Sequence, residues 1–472
     1  MNLTNKTPVI AFLLGCAALS ALAAEPAPSR TAPDDLVWMR GANYVPSYAR
    51  NDVQIWLDYD PAVIDRELGY AAKLKLNVVR VFLQVAVYET APQRFLDNFE
   101  NLLSLCAKHQ IQLMPVLFDS CFDPQVVDLQ NYHDKKWMPS PGFSRLGNQD
   151  RPALERYIQA VVGGHRQDRR IVLWDVMNEP ESTAHYADGE RGGRATIEAF
   201  VRWALRRVKD EQPNQPLTIG WAAQPNTLAF IDLVDVICIH QYCPAAELAK
   251  WIREAQHWSR LYGKPVIMNE FIGRPQQPFE RALPIVAEQK IGWCFWELMI
   301  GRTQFAEGVS PYQGLLYPDG TCYDADEVAA VGGVSAEVAR QLFPERPLAE
   351  VREDEVAFRG HWTRWTGAGP VKERLFYATS PKSSACFEFS GERVTCIHKV
   401  GPDCGVAEVL IDGQPAKVPE IDTYAPQVEW NHRTELAVGL APGKHTVTVR
   451  VAARKAPAST NCFVQIVAFT VE

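Results

Sequence analysis

Two carboxyl groups stand at the ends of apolar, strand-like segments of this chain. Residues 171–178 run directly into Glu179, and residues 265–269 run into Glu270. Continuous aliphatic runs are typical of strands buried on both faces of a parallel sheet, so each acid is predicted at the rim of such a sheet. Ligands bind at that rim. Two carboxyl groups converging there would supply a proton donor and a nucleophile or base, which is what hydrolysis of a glycosidic bond requires.

The elements that would position these acids alternate between strand and helix from residue 37 to about residue 343, which predicts parallel strands joined by helices. Eight units of this kind fit a closed (β/α)8 TIM barrel of the α/β class. The alternative, an open doubly wound sheet, lacks the Gly-rich phosphate loop that usually follows its first strand. The predicted strands cover residues 37–44, 77–82, 112–119, 171–178, 217–221, 234–240, 265–270 and 292–297.

Helical periodicity ends near Pro347, and short alternating runs separated by turn residues follow it. They predict a smaller all-β domain, an antiparallel jelly-roll or sandwich, with Asp412-Gly413 as a hairpin turn. Its predicted strands cover residues 385–389, 393–398, 406–411, 435–438, 445–451 and 463–471. We therefore expect a signal peptide at 1–24, the barrel as catalytic domain at 25–345 and an accessory domain at 350–472.

The N-terminal 24 residues have the pattern of a secretory signal peptide. Lys6 precedes an apolar stretch, and the small residues at 21–23 form a cleavage site. Export to the periplasm or the extracellular space is expected. Residues 13–16 also resemble a bacterial lipoprotein box, so a lipid anchor on Cys16 is an alternative outcome. No later run has the ~20 apolar residues that a transmembrane span needs.

Composition disfavours several other classes of function. The net charge is −8 over 472 residues, and Lys and Arg are scattered, so nucleic acid is not an expected partner. No Cys-x-x-Cys pair occurs, and neither a metal nor a cofactor is predicted. Ten cysteines would remain after loss of Cys16. Cys386 and Cys396, on either side of a Ser-Gly turn, are the best candidates for a disulfide, whereas Cys238 and Cys294 are predicted to be buried small hydrophobes.

The barrel region resembles the retaining glycoside hydrolases that share a (β/α)8 barrel, and most of all glycoside hydrolase family 5, the cellulase and mannanase family. Asn178-Glu179-Pro180 at the end of the fourth strand and Glu270 at the end of the seventh carry this resemblance. It implies that Glu179 is the general acid/base and Glu270 the nucleophile. A carbohydrate is the implied substrate.

The same resemblance implies supporting roles for five further residues. They are Arg80, which would keep Glu270 ionised; Asn178, which would bind the sugar 2-hydroxyl; His240, which would line the site; Tyr242, which would orient Glu270; and Trp296, which would form the floor of the sugar subsite. The third strand departs from the family pattern. Asp119 stands in the region where family 5 usually has a histidine, so the resemblance leaves the substrate open.

Aromatic residues are predicted at the rim of the barrel that carries the acids, where flat rings would stack on sugar faces. Trp221 and Trp296 are expected to touch the sugar, and Tyr44 is expected to support binding. Glu297 is expected to have no role. The aromatic residues at this rim are Tyr44, Tyr48, Trp56, Trp137, Trp221, Tyr242, Trp293 and Trp296.

Three functional alternatives remain at this stage. Segments 121–150 and 182–194 are long enough to close a pocket, which favours an exo-acting glycosidase such as a β-mannosidase or β-glucosidase over an endo-acting cellulase or mannanase. The third alternative, a catalytically inactive carbohydrate-binding protein, is disfavoured by the presence of Arg80 and both acids. The C-terminal domain resembles galactose-binding-like modules, and both a glycan-binding role, with Trp430 as a candidate contact, and a purely structural role stay open.

Overall fold

The computed structural model describes residues 36–121, 127–182, 186, 193–222, 228–274, 276–305, 313–345, 349–350, 353–365, 371 and 375–472. The predicted signal peptide and Cys16 lie outside these described residues. No helix within the described ranges is both long enough and apolar enough to span a bilayer.

Eight parallel strands form the first sheet and confirm the predicted α/β barrel. Their hydrogen-bonded order is β5-β4-β3-β2-β1-β8-β7-β6. Separate hydrogen bonds join the two ends of this order, among them His240 N–H to the Trp221 carbonyl at 2.9 Å and Asp235 N–H to the Leu217 carbonyl at 2.8 Å. The strands are β1 Arg40–Asn43, β2 Val78–Phe82, β3 Gln112–Asp119, β4 Trp174–Asn178, β5 Leu217–Gly220, β6 Ile237–Gln241, β7 Val266–Phe271 and β8 Gly292–Phe295.

Helices follow or flank these strands and cover the outside of the barrel. Burial on both faces explains why β2, β4 and β7 are buried along their whole length. Asp60 caps α2 by accepting hydrogen bonds from the N–H groups of Ala62 and Val63, with Pro61 at the first helical position, as the sequence predicts. The helices are α1 Asp52–Leu57, α2 Pro61–Lys73, α3 Val85–Thr90, α4 Pro92–Lys108, α5 Arg151–Val161, α6 Gly193–Asp210, α7 Ala245–Tyr262, α8 Phe279–Gln289, α9 Arg302–Phe305, α10 Ala325–Gly332 and α11 Ala336–Leu342.

Two antiparallel sheets form the C-terminal sandwich. One has the order β10-β13-β18-β15-β16, and the other has the order β11-β12-β19-β14-β17 with β9 beside β19. Their bounds are β9 Ala349–Glu350, β10 Ala357–Arg359, β11 Thr363–Arg364, β12 Phe376–Ala378, β13 Ser384–Ser390, β14 Arg393–Val400, β15 Val406–Ile411, β16 Gln414–Asp422, β17 Glu429–Val438, β18 Lys444–Val451 and β19 Val464–Val471.

The predicted hairpin turn is present between β15 and β16. Asp412 and Gly413 have φ angles of 51° and 75° and lie between the paired residues Ile411 and Gln414. Two positive φ values are the signature of a type I′ turn, which matches the twist of the flanking strands. Strand β16 itself escapes sequence analysis, because most of its side chains are exposed and it lacks an alternating apolar face.

The predicted disulfide between Cys386 and Cys396 is wrong. The Ser390-Gly391 turn connects the two sheets instead of forming a hairpin within one of them. Cys386 on β13 is paired with Thr448, whereas Cys396 on β14 is paired with Phe469 in the other sheet. All ten cysteines among the described residues are free thiols. Cys238 and Cys294 are buried, as the sequence predicts.

Candidate active site

Glu179 and Glu270 lie side by side at the carboxyl-terminal rim of the barrel. Glu270 belongs to β7, and Glu179 follows β4, with its N–H donating to the Gly220 carbonyl at 2.7 Å. The φ angle of Glu179 is 36°, in the left-handed region that a non-glycine residue rarely adopts. Such backbone strain is concentrated at functional sites. One oxygen of each carboxyl group and a ring nitrogen of His240 all lie within 4.8 Å of one another.

Arg80 is fully buried below Glu270 and is fixed by several acceptors. Its Nη1 donates to Glu270 Oε2 at 2.9 Å and to Asn43 Oδ1 at 2.8 Å. Its Nε donates to Asp175 Oδ2 at 3.0 Å, and its Nη2 donates to Asn178 Oδ1 at 2.6 Å. Burial acts against the charge of Arg80, but the adjacent carboxylates outweigh it and raise the pKa of the guanidinium. The site therefore contains a permanent cation against one oxygen of Glu270.

The other oxygen of Glu270 is held by Tyr242. The Tyr242 hydroxyl donates to Glu270 Oε1 at 2.7 Å. Both carboxylate oxygens thus have a donor, and the group is fixed in one orientation. The structure therefore places Arg80 and Tyr242 in contact with the acid that the family resemblance assigns to them.

Glu179 has different partners from Glu270. Its Oε1 lies 2.7 Å from His240 Nδ1, and the Cys121 thiol donates to its Oε2 at 3.5 Å. His240 is buried and reaches both acids, since its Nδ1 lies 3.6 Å from Glu270 Oε2. The imidazole therefore bridges the two carboxyl groups from below.

Glu179, His240 and Glu270 shift one another's pKa values. Burial lowers the pKa of His240, but the negative charges of Glu270 and Glu179 outweigh it and raise that pKa well above its ordinary value. Burial would raise the pKa of Glu179, but its hydrogen bond to His240 outweighs this and lowers the pKa to about 2. The two pKa values therefore move in opposite directions, which favours the shared proton on His240 over Glu179.

Burial raises the pKa of Glu270, and the charge of Glu179 adds to that rise. His240, Arg80 and Tyr242 act in the opposite direction. Asp119 is also buried, and burial raises its pKa to about 7. Its Oδ2 accepts from Trp137 Nε1 at 2.8 Å and its Oδ1 accepts from Asn178 Nδ2 at 3.2 Å. Asp119 therefore connects the wall of the site to Asn178.

A cavity of about 500 Å³ opens above the acids, within the range of about 300–1,000 Å³ that is usual for small-molecule sites. Six residues predicted from the sequence line it: Asp119, Asn178, Glu179, Tyr242, Glu270 and Trp296. Arg80 and His240 lie beneath them. Trp137, one of the aromatic residues predicted at this rim, lines the cavity too. The cavity also contacts residues outside the predicted set: Arg50, Phe82, Cys121, Ala222, Glu297, Thr303 and Gln313.

Trp221, which was predicted to touch the sugar, and Tyr44, which was predicted to support binding, do not line this cavity. Trp221 is buried and stacks on Phe230 with ring centroids 5.7 Å apart, and the Tyr44 hydroxyl donates to Glu67 at 2.9 Å. The alternation of side chains along a strand explains both placements. Gly220 faces inward, since a Cβ there would lie 2.6 Å from His240 Nε2, so Trp221 points outward.

Glu297 is the clearest residue that sequence analysis missed. It was expected to have no role, yet it is buried and lines the cavity. The signal was available, because Glu297 follows β8 just as Glu179 follows β4. Arg50 and Gln313 come from loops and Thr303 from the short helix α9, and none of them carries a comparable signal in the sequence.

The trio of Glu179, His240 and Glu270 has the spacing of a metal-ligand set. Its existing contacts favour a different use. Arg80 already compensates the charge of Glu270, and His240 Nδ1 is hydrogen bonded to Glu179. An added dication would lie beside a fixed guanidinium. The arrangement therefore fits acid, base and nucleophile chemistry on an organic ligand.

Comparison with known proteins agrees with this geometry. A sequence model of the cellulase family, glycosyl hydrolase family 5, matches residues 68–301, which include β2–β8 with Arg80, Glu179, His240, Tyr242 and Glu270. The barrel is a glycoside hydrolase family 5 domain. The protein is therefore a glycoside hydrolase, and its ligand is a carbohydrate. No curated protein matches the chain.

The chain is also similar to several solved structures of glycosidases. An enzyme from Streptomyces cattleya in complex with Manβ1-4GlcNAc is 17% identical, with a TM-score of 0.47, over 66% of this chain and 82% of that one. The exo-β-1,4-mannosidase of an Opitutaceae bacterium is 18% identical, with a TM-score of 0.47, over 66% of this chain and 61% of that one. An endo-1,4-β-D-mannanase from Thermotoga petrophila is 13% identical, with a TM-score of 0.45, over 64% of this chain and 99% of that one.

Proposed function

We propose that this family 5 domain hydrolyses β-glycosidic bonds with retention of configuration, using Glu270 as nucleophile and Glu179 as acid/base. The observation that carries the proposal is the distance between the acids, since one oxygen of each lies within 4.8 Å of the other. Carboxyl groups of retaining enzymes stand about 5–5.5 Å apart, whereas those of inverting enzymes stand about 6.5–9.5 Å apart to admit a water molecule. The observed spacing supports the retaining arrangement.

The reaction proceeds in two displacements. Glu270 attacks the anomeric carbon, the glycosidic bond breaks, and the leaving oxygen takes a proton from Glu179. In the second step Glu179 accepts a proton from water, the water oxygen attacks the anomeric carbon, and the bond to Glu270 breaks. Arg80 and Tyr242 hold Glu270 for the first attack and stabilise its carboxylate when it leaves.

The proton for the leaving group is held in the pair formed by Glu179 and His240. Their heavy atoms are 2.7 Å apart, so the proton moves from Nδ1 to Oε1 along this hydrogen bond, and the new hydroxyl group then turns towards the leaving oxygen. Glu179 then becomes the neutral acid, and neutral His240 remains behind it. This step reconciles the low pKa of Glu179 at rest with its role as a proton donor.

Exo action, of the β-mannosidase or β-glucosidase kind, is the specificity that the cavity supports best. Its wall is formed by residues from different connecting segments: Arg50 after β1, Trp137 after β3, and Thr303 and Gln313 after β8. Loops on several sides of a cavity of about 500 Å³ favour the end of a glycan over an internal segment. Trp296 and Trp137 offer flat faces for a sugar ring. An endo-acting polysaccharide hydrolase is the second candidate.

The decisive experiment combines a substrate screen with two alanine variants. Aryl β-mannosides and β-glucosides are assayed, and the anomer released first is read by NMR. We expect the β-anomer. Glu270→Ala should lower activity by at least about 10³-fold, and added azide should then give the α-glycosyl azide. Glu179→Ala with azide should give the β-glycosyl azide.

Glu247→Gln, at an exposed position on α7, is the matched control and should keep wild-type activity. Full hydrolytic activity in Glu270→Ala would refute the assignment of the nucleophile. A wild-type chain that binds sugars but hydrolyses none would favour the inactive carbohydrate-binding alternative. Exo action would be refuted by a rapid fall in polysaccharide viscosity or by oligosaccharides as first products.

Export of the protein is also proposed, on the pattern of residues 1–24. Intact mass of the mature protein tests it. Loss of the first 23 or 24 residues is the expected result. A chain that begins at a lipid-modified Cys16 would show the lipoprotein alternative instead, and an uncleaved chain would refute both.

A further inference from the structure

One wall of the cavity is built by a segment that also contacts the sandwich. We define residues 313–323 as the wall segment. Its first residue, Gln313, lines the cavity. Hydrogen bonds fix the segment to the end of β8: Leu315 N–H donates to the Glu297 carbonyl at 3.1 Å, and Ile300 N–H donates to the Leu316 carbonyl at 2.7 Å. The position of Gln313 therefore depends on how the wall segment is held.

Arg274, which follows β7, holds the cavity end of the wall segment. Its backbone N–H donates to Gln313 Oε1 at 2.9 Å, and its Nη1 donates to the Gly314 carbonyl at 3.1 Å. The guanidinium is itself paired with Glu327 on α10. Arg274 thus fixes both the side chain of Gln313 and the backbone that follows it.

Arg393 of the sandwich holds the other end of the wall segment. Its Nη1 donates to the Tyr317 hydroxyl at 2.9 Å, and its Nη2 donates to the Tyr323 hydroxyl at 3.2 Å. The guanidinium is buried between two sandwich carboxylates, Glu435 and Glu472. Burying three charged groups costs several kcal/mol per ion unless their geometry is good. A simple contact between the sandwich and the barrel would not require such a cluster.

The two arginines meet at one aromatic ring. Arg274 lies 4.3 Å from the centroid of the Tyr323 ring, and Arg393 lies 5.1 Å from it. A continuous series of contacts therefore runs from Arg393 through Tyr323 and Arg274 to Gln313. Packed and hydrogen-bonded series of this kind can transmit a displacement between distant groups.

We propose that Arg393 is a positioning residue for the substrate site: the sandwich fixes the wall segment, and through it the amide of Gln313, which binds a hydroxyl group of the sugar. Gln313 is then a specificity-determining contact. This inference rests on the proposed hydrolase function. In this arrangement the accessory domain contributes to substrate binding without contacting the glycan itself.

The test separates binding from chemistry. Arg393→Lys keeps the charge but cannot donate to both tyrosine hydroxyls in the same fork. The double variant Tyr317→Phe/Tyr323→Phe removes only the two acceptors and keeps both rings. Both variants should raise KM about 2- to 30-fold, with kcat changed by less than about twofold. Arg450→Lys, which breaks only an exposed pair with Glu408 in the sandwich, is the matched control and should leave KM unchanged.

A double-mutant cycle with Gln313→Ala completes the design. Gln313→Ala should raise KM by a similar factor, and adding Arg393→Lys to it should raise KM no further, because both changes act on one contact. Unchanged KM in an active, folded Arg393→Lys enzyme, or fully additive effects in the cycle, would overturn the inference. Inactivity of the wild type on every sugar would instead refute the proposed function.

Discussion

Glu270 and Glu179 differ in the partners that their side chains contact. Glu270 receives hydrogen bonds from Arg80 and Tyr242, whereas Glu179 contacts His240 and the Cys121 thiol. The contacts match the roles proposed above, a fixed nucleophile at Glu270 and an acid at Glu179 that exchanges a proton with its neighbour. The sequence predicts both acids because a residue at a strand end keeps its place in the barrel. It could not predict the hydrogen bond between Glu179 and His240, which depends on how the ends of β4 and β6 approach each other.

Tyr242→Phe should shift the pH profile of the reaction. Glu270 must be ionised to attack, and its pKa lies above the ordinary value because of burial. Removing the Tyr242 donor removes one stabilising contact of the ionised form, so the pKa rises further. We expect the acidic limb of the kcat/KM profile to move to higher pH. A limb that stays in place or moves to lower pH would contradict this role of Tyr242.

Asp119→Asn should change how stability depends on pH. Burial raises the pKa of Asp119 to about 7, so the folded state binds this proton more tightly than the unfolded state does. The contribution of this proton to the free energy of unfolding is fully present below the unfolded-state pKa of about 4. It is lost as the pH rises to about 7, and the loss amounts to at most roughly 4 kcal/mol. Urea unfolding at pH 4.5 and 7.5 measures it. The wild type should lose more stability over this range than the Asn variant, and equal losses would refute the shift.

At the scale of elements, the direction of each side chain separates the predicted residues that line the cavity from those that do not. Asn43 and Gly220 face into the barrel beside Arg80, so the next residues, Tyr44 and Trp221, face the helices. The eight strands could be predicted because buried parallel strands have a distinctive composition. The direction in which a strand end points depends on the register of its neighbours, and local sequence does not determine it.

Two tryptophan variants test this distinction. Trp221→Ala leaves a cavity beside Phe230 and should cost about 3–5 kcal/mol of unfolding free energy, with KM of the folded enzyme unchanged. Trp296→Ala should raise KM about 2- to 12-fold through loss of a stacking face. Urea unfolding and steady-state kinetics below the melting range measure the two effects. A large KM effect in Trp221→Ala would restore the original prediction for that residue.

At the scale of the whole molecule, a buried ionic cluster joins the barrel to the sandwich. Arg393, Glu435 and Glu472 meet Tyr317 and Tyr323 there, with Ile300 and Val438 packed alongside. The sequence predicts both architectures but not this contact, because each of its members looks like an ordinary surface residue in its own segment. The limits of the two domains stay a prediction.

Unfolding should therefore be a single calorimetric transition in the wild type. Arg393→Met leaves Glu435 and Glu472 without their cation in a buried site, and loss of one partner of such a cluster typically costs about 3–5 kcal/mol. We expect this variant to unfold in two steps, with the sandwich first. Arg450→Met should behave like the wild type, since an exposed pair contributes about 1 kcal/mol or less. Two transitions already present in the wild type would refute this coupling.

The junction between β5 and β6 has a consequence for the motion of the catalytic groups. The other neighbouring strands of the barrel are paired in ladders, but here separate hydrogen bonds to the carbonyls of Leu217 and Trp221 join the two sides. Amide protons along this junction should exchange with solvent faster than those of β2 and β3, because fewer bonds must break to release them. Glu179 lies on one side of the junction and His240 on the other. Glu179 and His240 would then approach and separate with each local opening of this junction. The rate of opening between β5 and β6 would set how often the proton can pass between them.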